Sequence, residues 1–291
     1  MNPVSGWLLA LALAVAACRA ADAPALTSGS VTNRPFSELL NAAQKGDAKA
    51  QRLVANAYLT GEGAKTNVTE AIKWLRRASD QRDAKAQYTL GILYDEGTGV
   101  SRDLTAAAKF YALAAEQGLV DAQYNLALCY FKGEGVAKDD EKAFVWFRKA
   151  AEQNDAQAQA QLGLAYVSGR GVERDLIEAA VWLRKAAEPP GKDAKAQFFL
   201  GRLYKLGEGV AEDQAVAAAW FRKSADQGYA SAQFYLGLAL LEGTGVERNQ
   251  IEARKWIAKA AAQGFEDAVK YLGDSHEKKP TGPSEQVNPK K

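Results

Sequence analysis

The side chains able to do covalent or acid–base chemistry are few and poorly spaced for it. The chain holds one histidine, His276, and two cysteines, Cys18 and Cys129. A nucleophilic site needs an attacking group with a base beside it, and a metal site needs several convergent ligands. Neither set can be built from a lone histidine near one end and one cysteine whose counterparts in register are alanine and leucine. Glu62, Glu96, Glu134 and Glu208 recur in or beside glycine turns, so a pair of carboxylates is the one catalytic chemistry left open. Their recurrence assigns them to the turns. The glycine pairs themselves, such as Gly133 and Gly135, invite a phosphate-loop reading. No strand precedes them, no Gly-Lys-Ser/Thr follows, and the pattern occurs six times, so they read as helix stops. The expectation is a non-enzymatic chain with no cofactor and no metal.

What does repeat is the framework. An alanine recurs at Ala50, Ala86, Ala122, Ala158, Ala196, Ala232 and Ala268, at intervals of 36 residues with one of 38. A period of that size predicts an all-α, α/α superhelical solenoid of helix-turn-helix units. Four residues on stands an aliphatic column from Val54 to Leu272, and five on a very small one from Ala55 to Gly273. Eight on come Tyr58, Tyr94, Tyr130, Tyr166 and Tyr204, then Leu240. These spacings share one helical face, that of helix A. The small column lets a neighbouring helix come close.

Helix B follows the glycines. Asn67, Asp103, Asp139, Asp175, Asp213 and Asn249 stand at its N-cap, and Glu70, Glu178 and Glu252 three residues later suggest a capping box. Inside it run an alanine column, from Ala71 to Ala253, and an aromatic one: Trp74, Phe110, Trp146, Trp182, Trp220 and Trp256. One large ring per repeat beside alanine reads as core packing. In the third repeat the spacing predicts helix A over 119–131 and helix B over 140–153.

Charge adds an exclusion. With 37 Lys and Arg against 35 Asp and Glu, the net charge of +2 gives no case for nucleic acid. Basic pairs such as Arg148-Lys149 recur near the end of helix B, where cations favour the helix dipole, with acidic residues a turn later. They read as a solvated face. The ends differ in kind. Trp7 to Ala17 is an apolar run of 11 residues, too short to span a bilayer as a helix and suited to the hydrophobic region of a secretory signal. It ends in Val15-Ala16-Ala17-Cys18, which is similar to a bacterial lipobox, so Cys18 is the expected lipidation site. Ordinary cleavage after Ala20, Ala21 or Ala23 is the alternative, giving a soluble periplasmic or secreted protein. The expected layout is a signal over 1–17, a flexible tether over 18–35, the solenoid over 36–273 and a disordered tail over 274–291.

The combined columns resemble the Sel-1-like repeat family, a relative of the tetratricopeptide repeat. The third repeat carries them as Ala122-Gln123, Leu126, Tyr130, Gly133, Gly135-Val136, Asp139, Ala143, Trp146 and Lys149-Ala150-Ala151. The resemblance implies six full repeats, with a lone helix B from Phe36 to Gly46 and a lone helix A from Glu266 to about Gly273 as caps. It implies an adaptor or scaffold that binds a protein or peptide. Some exported members carry a disulfide in each repeat and are linked to β-lactam binding or hydrolysis, but this chain lacks those cysteines. A hydrolase acting on peptidoglycan or a β-lactam is the alternative function, and a rigid spacer the third.

By the same resemblance the partner groove lies on helix A, two and six residues past the anchor alanine. The first column holds Tyr88, Tyr124, Phe198 and Phe234, interrupted by Ala160. The second holds Ile92, Leu128, Leu164 and Leu238, with Arg202 among them. An exposed apolar strip there marks a protein-binding groove, while burial between repeats explains the same residues as core. Together with Cys18, the expectation is an exported membrane-anchored lipoprotein of the bacterial periplasm or outer membrane. Its only membrane contact is the lipid.

Overall fold

A computed structural model describes residues 35–277, with side chains to residue 273. The expected signal, tether, Cys18 and most of the tail lie outside the described residues. Fourteen helices and no strand occur among the described residues. The chain divides into two compact units between Gln153 and Asn154. The first holds α1 (Phe36–Gln44), α2 (Ala48–Thr60), α3 (Val68–Asp80), α4 (Ala84–Glu96), α5 (Leu104–Ala115), α6 (Val120–Lys132) and α7 (Asp140–Glu152). The second holds α8 (Ala156–Ser168), α9 (Leu176–Ala187), α10 (Ala194–Leu206), α11 (Gln214–Asp226), α12 (Ala230–Glu242), α13 (Gln250–Ala262) and α14 (Glu266–Glu277). Within each unit every helix packs on the next, so helices A (α2, α4, α6; α8, α10, α12, α14) alternate with helices B. The third repeat lies where the spacing puts it, to within a residue.

The turns follow from local chemistry. Gly61, Gly97, Gly133, Gly169, Gly207 and Gly243 close helix A in the left-handed region, at φ between +67° and +81°. Each N-cap Asx of helix B accepts a backbone N–H, as Asp139 does from Lys142 at 2.9 Å and Asn249 from Glu252 at 3.0 Å. The reciprocal half of a capping box is not formed. The cap's own N–H is taken instead by the carbonyl eight residues past the anchor, as from Asn67 to Tyr58 at 2.9 Å and from Asp175 to Tyr166 at 3.1 Å. Glu178 and Glu252 turn outward and accept from the indoles of Trp182 and Trp256, both at 3.1 Å.

The deepest column of helix B is not the tryptophan column but its successor: Leu75, Tyr111, Phe147, Leu183, Phe221 and Ile257, all at most 3% exposed. Four of these press on the glycine of their own helix A. A Cβ added to Gly91, Gly163, Gly201 or Gly237 would stand 2.5–2.8 Å from Tyr111, Leu183, Phe221 or Ile257. Trp74 and Trp220 are buried at 7% and 9%, whereas Phe110, Trp146, Trp182 and Trp256 are half-buried. The aromatic column therefore seals the edge of the core, with a cation over most of its rings. Lys149, Lys185, Lys223 and Lys259 lie 3.8–4.0 Å from the rings of Trp146, Trp182, Trp220 and Trp256.

A polar relay ties repeats together. Gln87 on α4 donates to the Ser79 carbonyl of α3 at 3.2 Å and accepts from Gln117, just past α5, at 2.7 Å. The same pair recurs as Gln81 to Gln51, Gln153 to Gln123, Gln227 to Gln197 and Gln263 to Gln233, each at 2.8 Å. The inner glutamines are 3–5% exposed, so their amides need these partners. In the fourth repeat the outer position is Pro189, which carries no amide.

Candidate interaction surface

Helix A turns about 100° per residue, so a one-residue change of column decides whether a side chain faces core or solvent. The column two past the anchor faces inward. Phe198 and Phe234 are 5% and 8% exposed, and Ala160 is 4% exposed. Tyr88 and Tyr124 are half-buried. Tyr88, Tyr124 and Phe198 each meet the deep ring of their own helix B, Tyr111, Phe147 and Phe221, at 5.7–5.8 Å between centroids. Phe234 packs against Phe265 at 5.4 Å. Phe198 and Phe234 thus belong to the core of the second unit instead of an open ladder. At the same position Arg52 forms a buried ion pair with Asp83 at 3.2 Å. Of the second column, Ile92 is buried, while Leu128, Leu164, Leu238 and Arg202 keep part of their surface.

In the second unit the open stripe of helix A runs through the positions one before and three, six and ten after the anchor, whereas in the first unit Thr89 and Ile92 at those positions are buried. In the second unit its third-residue column is Gln161, Phe199, Tyr235 and Tyr271. Phe199 and Tyr235 are half-buried and Tyr271 is 38% exposed, so an aromatic ladder does exist, one residue along from the expected one. In the first unit the same column holds Leu53, Thr89 and Asn125. Tyr235 is fixed on one side by Phe198, Phe221 and Phe234, at 5.5–6.0 Å. Its face carries Lys205 at 5.2 Å, and Arg202 lies 5.8 Å from the ring of Phe199. Leu206 and Leu238 extend the stripe, Leu206 at 52% exposure. Three rings at a 36-residue spacing are visible in the sequence, but the preceding column is also aromatic and masks them.

Several titratable groups lie in the core or at the turns. Burial, with Asp95 nearby, pushes the Cys129 thiol up to about 11, so it is protonated at neutral pH. Burial and Asp95 likewise raise the Tyr111 phenol, whose hydroxyl lies 3.4 Å from Asp95. Burial raises Glu96, which also accepts from Thr98. Glu134 sits 3.6 Å from Lys132 and Glu208 3.9 Å from Arg174, both at exposed turns. The hydrogen bonds that Glu252 accepts from Arg222 and Trp256 hold its carboxyl below the usual range. No helix among the described residues is long and apolar enough to cross a membrane.

This arrangement has known counterparts. The Sel1 repeat model matches residues 48–83, 84–119, 120–155, 156–188, 194–229 and 230–265. The chain is similar to a protective antigen of uropathogenic Escherichia coli strains that displays an SLR fold, with 35% identity and a TM-score of 0.74 over 86% of this chain. It spans 54%, about half, of that antigen's chain. It is also similar to a Sel1 repeat protein from Oxalobacter formigenes, with 33% identity, a TM-score of 0.62 and coverage of 78% of this chain and 98% of the other. Among curated proteins, none matches. With six consecutive units matched from residue 48 to residue 265, the chain belongs to the Sel1 repeat family.

Proposed function

We propose that this chain is a non-catalytic interaction scaffold of the bacterial cell envelope that holds a protein segment on the exposed stripe of its A helices. Sel1 repeat proteins generally act by binding other proteins. The observation that carries the finer reading is the ladder of Phe199, Tyr235 and Tyr271, with Leu238 beside it and the cations Arg202 and Lys205 at its edge. Aromatic side chains held rigid on one side and open on the other supply most of the binding energy at protein interfaces. The two cations favour a segment that carries carboxylates beside its apolar residues. Taken by themselves, Tyr88, Tyr124 and Leu128 in the first unit and Leu164 in the second keep part of their surface. Lipidation of Cys18 in Val15-Ala16-Ala17-Cys18 would fix the scaffold to the membrane. The description of the Escherichia coli relative as a protective antigen supports an exported protein.

The test is in-cell photocrosslinking from position 235 in the full chain, followed by Phe199→Ala and Tyr271→Ala in the same background. The expected outcome is a discrete crosslinked partner in the membrane fraction, lost on both substitutions while the melting curve stays in place. Cys18→Ser should move chain and partner together to the soluble fraction. Crosslinking indifferent to both ring deletions would overturn the site. A wild-type chain that is already soluble would overturn the anchor.

A further inference from the structure

The described residues open on a helix B and close on a helix A. The register is fixed by Asp47, the counterpart of Asp83, which places Leu39 of α1 in the deep column of Leu75, Tyr111, Phe147, Leu183, Phe221 and Ile257. Those six are at most 3% exposed, but Leu39 is only partly buried. It packs on the first core cluster from one side, and no helix A precedes it among the described residues to receive the other.

α14 has the opposite defect. Its anchor, Ala268, is fully buried against α13, so the helix is seated correctly on the repeat before it. No described residue covers its other flank. Val269 is 50% exposed, where the six glutamines of that column are 3–5% exposed. Gly273 keeps the small column, yet a Cβ there meets nothing within 4 Å, where in four other repeats it would strike the deep side chain of helix B. Among the described residues, α14 is a socket of the A type without its B side chain, and α1 is a B helix whose side chain lacks its socket. The two ends also depart together from the glutamine relay. Val269 replaces the inner glutamine, and Lys45, the counterpart of Gln81, replaces the outer one. Joined, they would leave no buried amide unpaired.

We propose that copies of this chain associate head to tail, α14 of one copy and α1 of the next forming together the A and B halves of one further repeat. Leu39 enters the space over Gly273, and Val269 is covered by the same helix. The occupant is a second copy because it already carries a B helix in the correct register, with Leu39 in the deep column and Ala42 at the counterpart of Ala78, while Glu38 stands where the other B helices carry an aromatic ring. The contact is heterologous, so each copy offers one end of each kind to its neighbours. It leaves the ladder of Phe199 and Tyr235 free and does not rest on the partner reading.

Sedimentation of the full chain under reducing conditions tests this. The expected result is a mean mass that rises with concentration above that of one copy. Gly273→Arg has open space in the single chain, so it should leave the melting curve unchanged and abolish growth. Leu39→Glu should also abolish growth. A mixture of the two variants should give a species of two copies and stop, because each keeps one working end. A single-copy mass at every concentration overturns the proposal, as do variants that assemble like wild type.

Discussion

A Cβ built on Gly201 would stand 2.8 Å from the ring of Phe221 and 3.2 Å from the Ala217 carbonyl, while one on Gly273 would meet nothing within 4 Å. The same residue type in the same column therefore carries opposite consequences. Gly201→Ala should cost about 1–3 kcal/mol, because the ring and the helix behind it must give way. Gly273→Ala in dilute protein should be neutral or stabilising by up to about 1 kcal/mol, since alanine loses less backbone freedom in a helix. Chemical denaturation of the two variants checks the contrast, and equal effects would mean that the small column is not a packing device. The column was legible in the sequence, but its partner was not. Leu75, Tyr111, Phe147, Leu183, Phe221 and Ile257 differ too much in type to stand out by identity, whereas the tryptophans beside them do. What is kept in that column is burial, which no list of letters displays.

At the scale of the helix, the alternation of A and B, the N-caps and the glycine stops were all legible, because each rests on a local rule: Asx before a helix, glycine at positive φ after one. Facing was harder to read. Helix B puts Phe147 at 2% exposure and leaves Trp146, one position earlier, half-buried under Lys149. Phe147→Ala should then cost about 3–5 kcal/mol, the range for emptying a core site of that size. Trp146→Ala should cost less, because water already reaches part of its ring and the helix loses mainly an edge and a cation contact. Paired thermal melts decide it, and a larger loss at Trp146 would return the tryptophan column to the centre of the core. Helix A shows the same one-residue sensitivity. Phe198 and Phe199 are adjacent, and the first is closed in the core while the second lies on the open stripe. Periodicity alone reads both columns as equally apolar, and only burial separates Phe198 from Phe199.

Within each unit, stability is built from neighbour to neighbour, since every helix packs mainly on the one before and the one after. The glutamine relay makes this coupling specific. Gln123 donates to the Ala115 carbonyl at 3.2 Å and accepts from Gln153 at 2.8 Å, and so ties α5, α6 and the end of α7 in one chain of amides. Gln123→Ala removes both bonds and strands a buried carbonyl, at a cost of about 1–3 kcal/mol. A stack that responds locally should lose hydrogen-exchange protection in α5, α6 and α7 first. In α1 and α2, two helices removed from the cut, protection should be nearly unchanged. A single cooperative block would instead lose protection evenly across the unit, because opening anywhere would open everything. The distinction bears on function: a scaffold whose repeats answer separately can loosen at one repeat while the rest of the unit keeps its stripe in place. Uniform loss over α1 to α7 would rule out that local response.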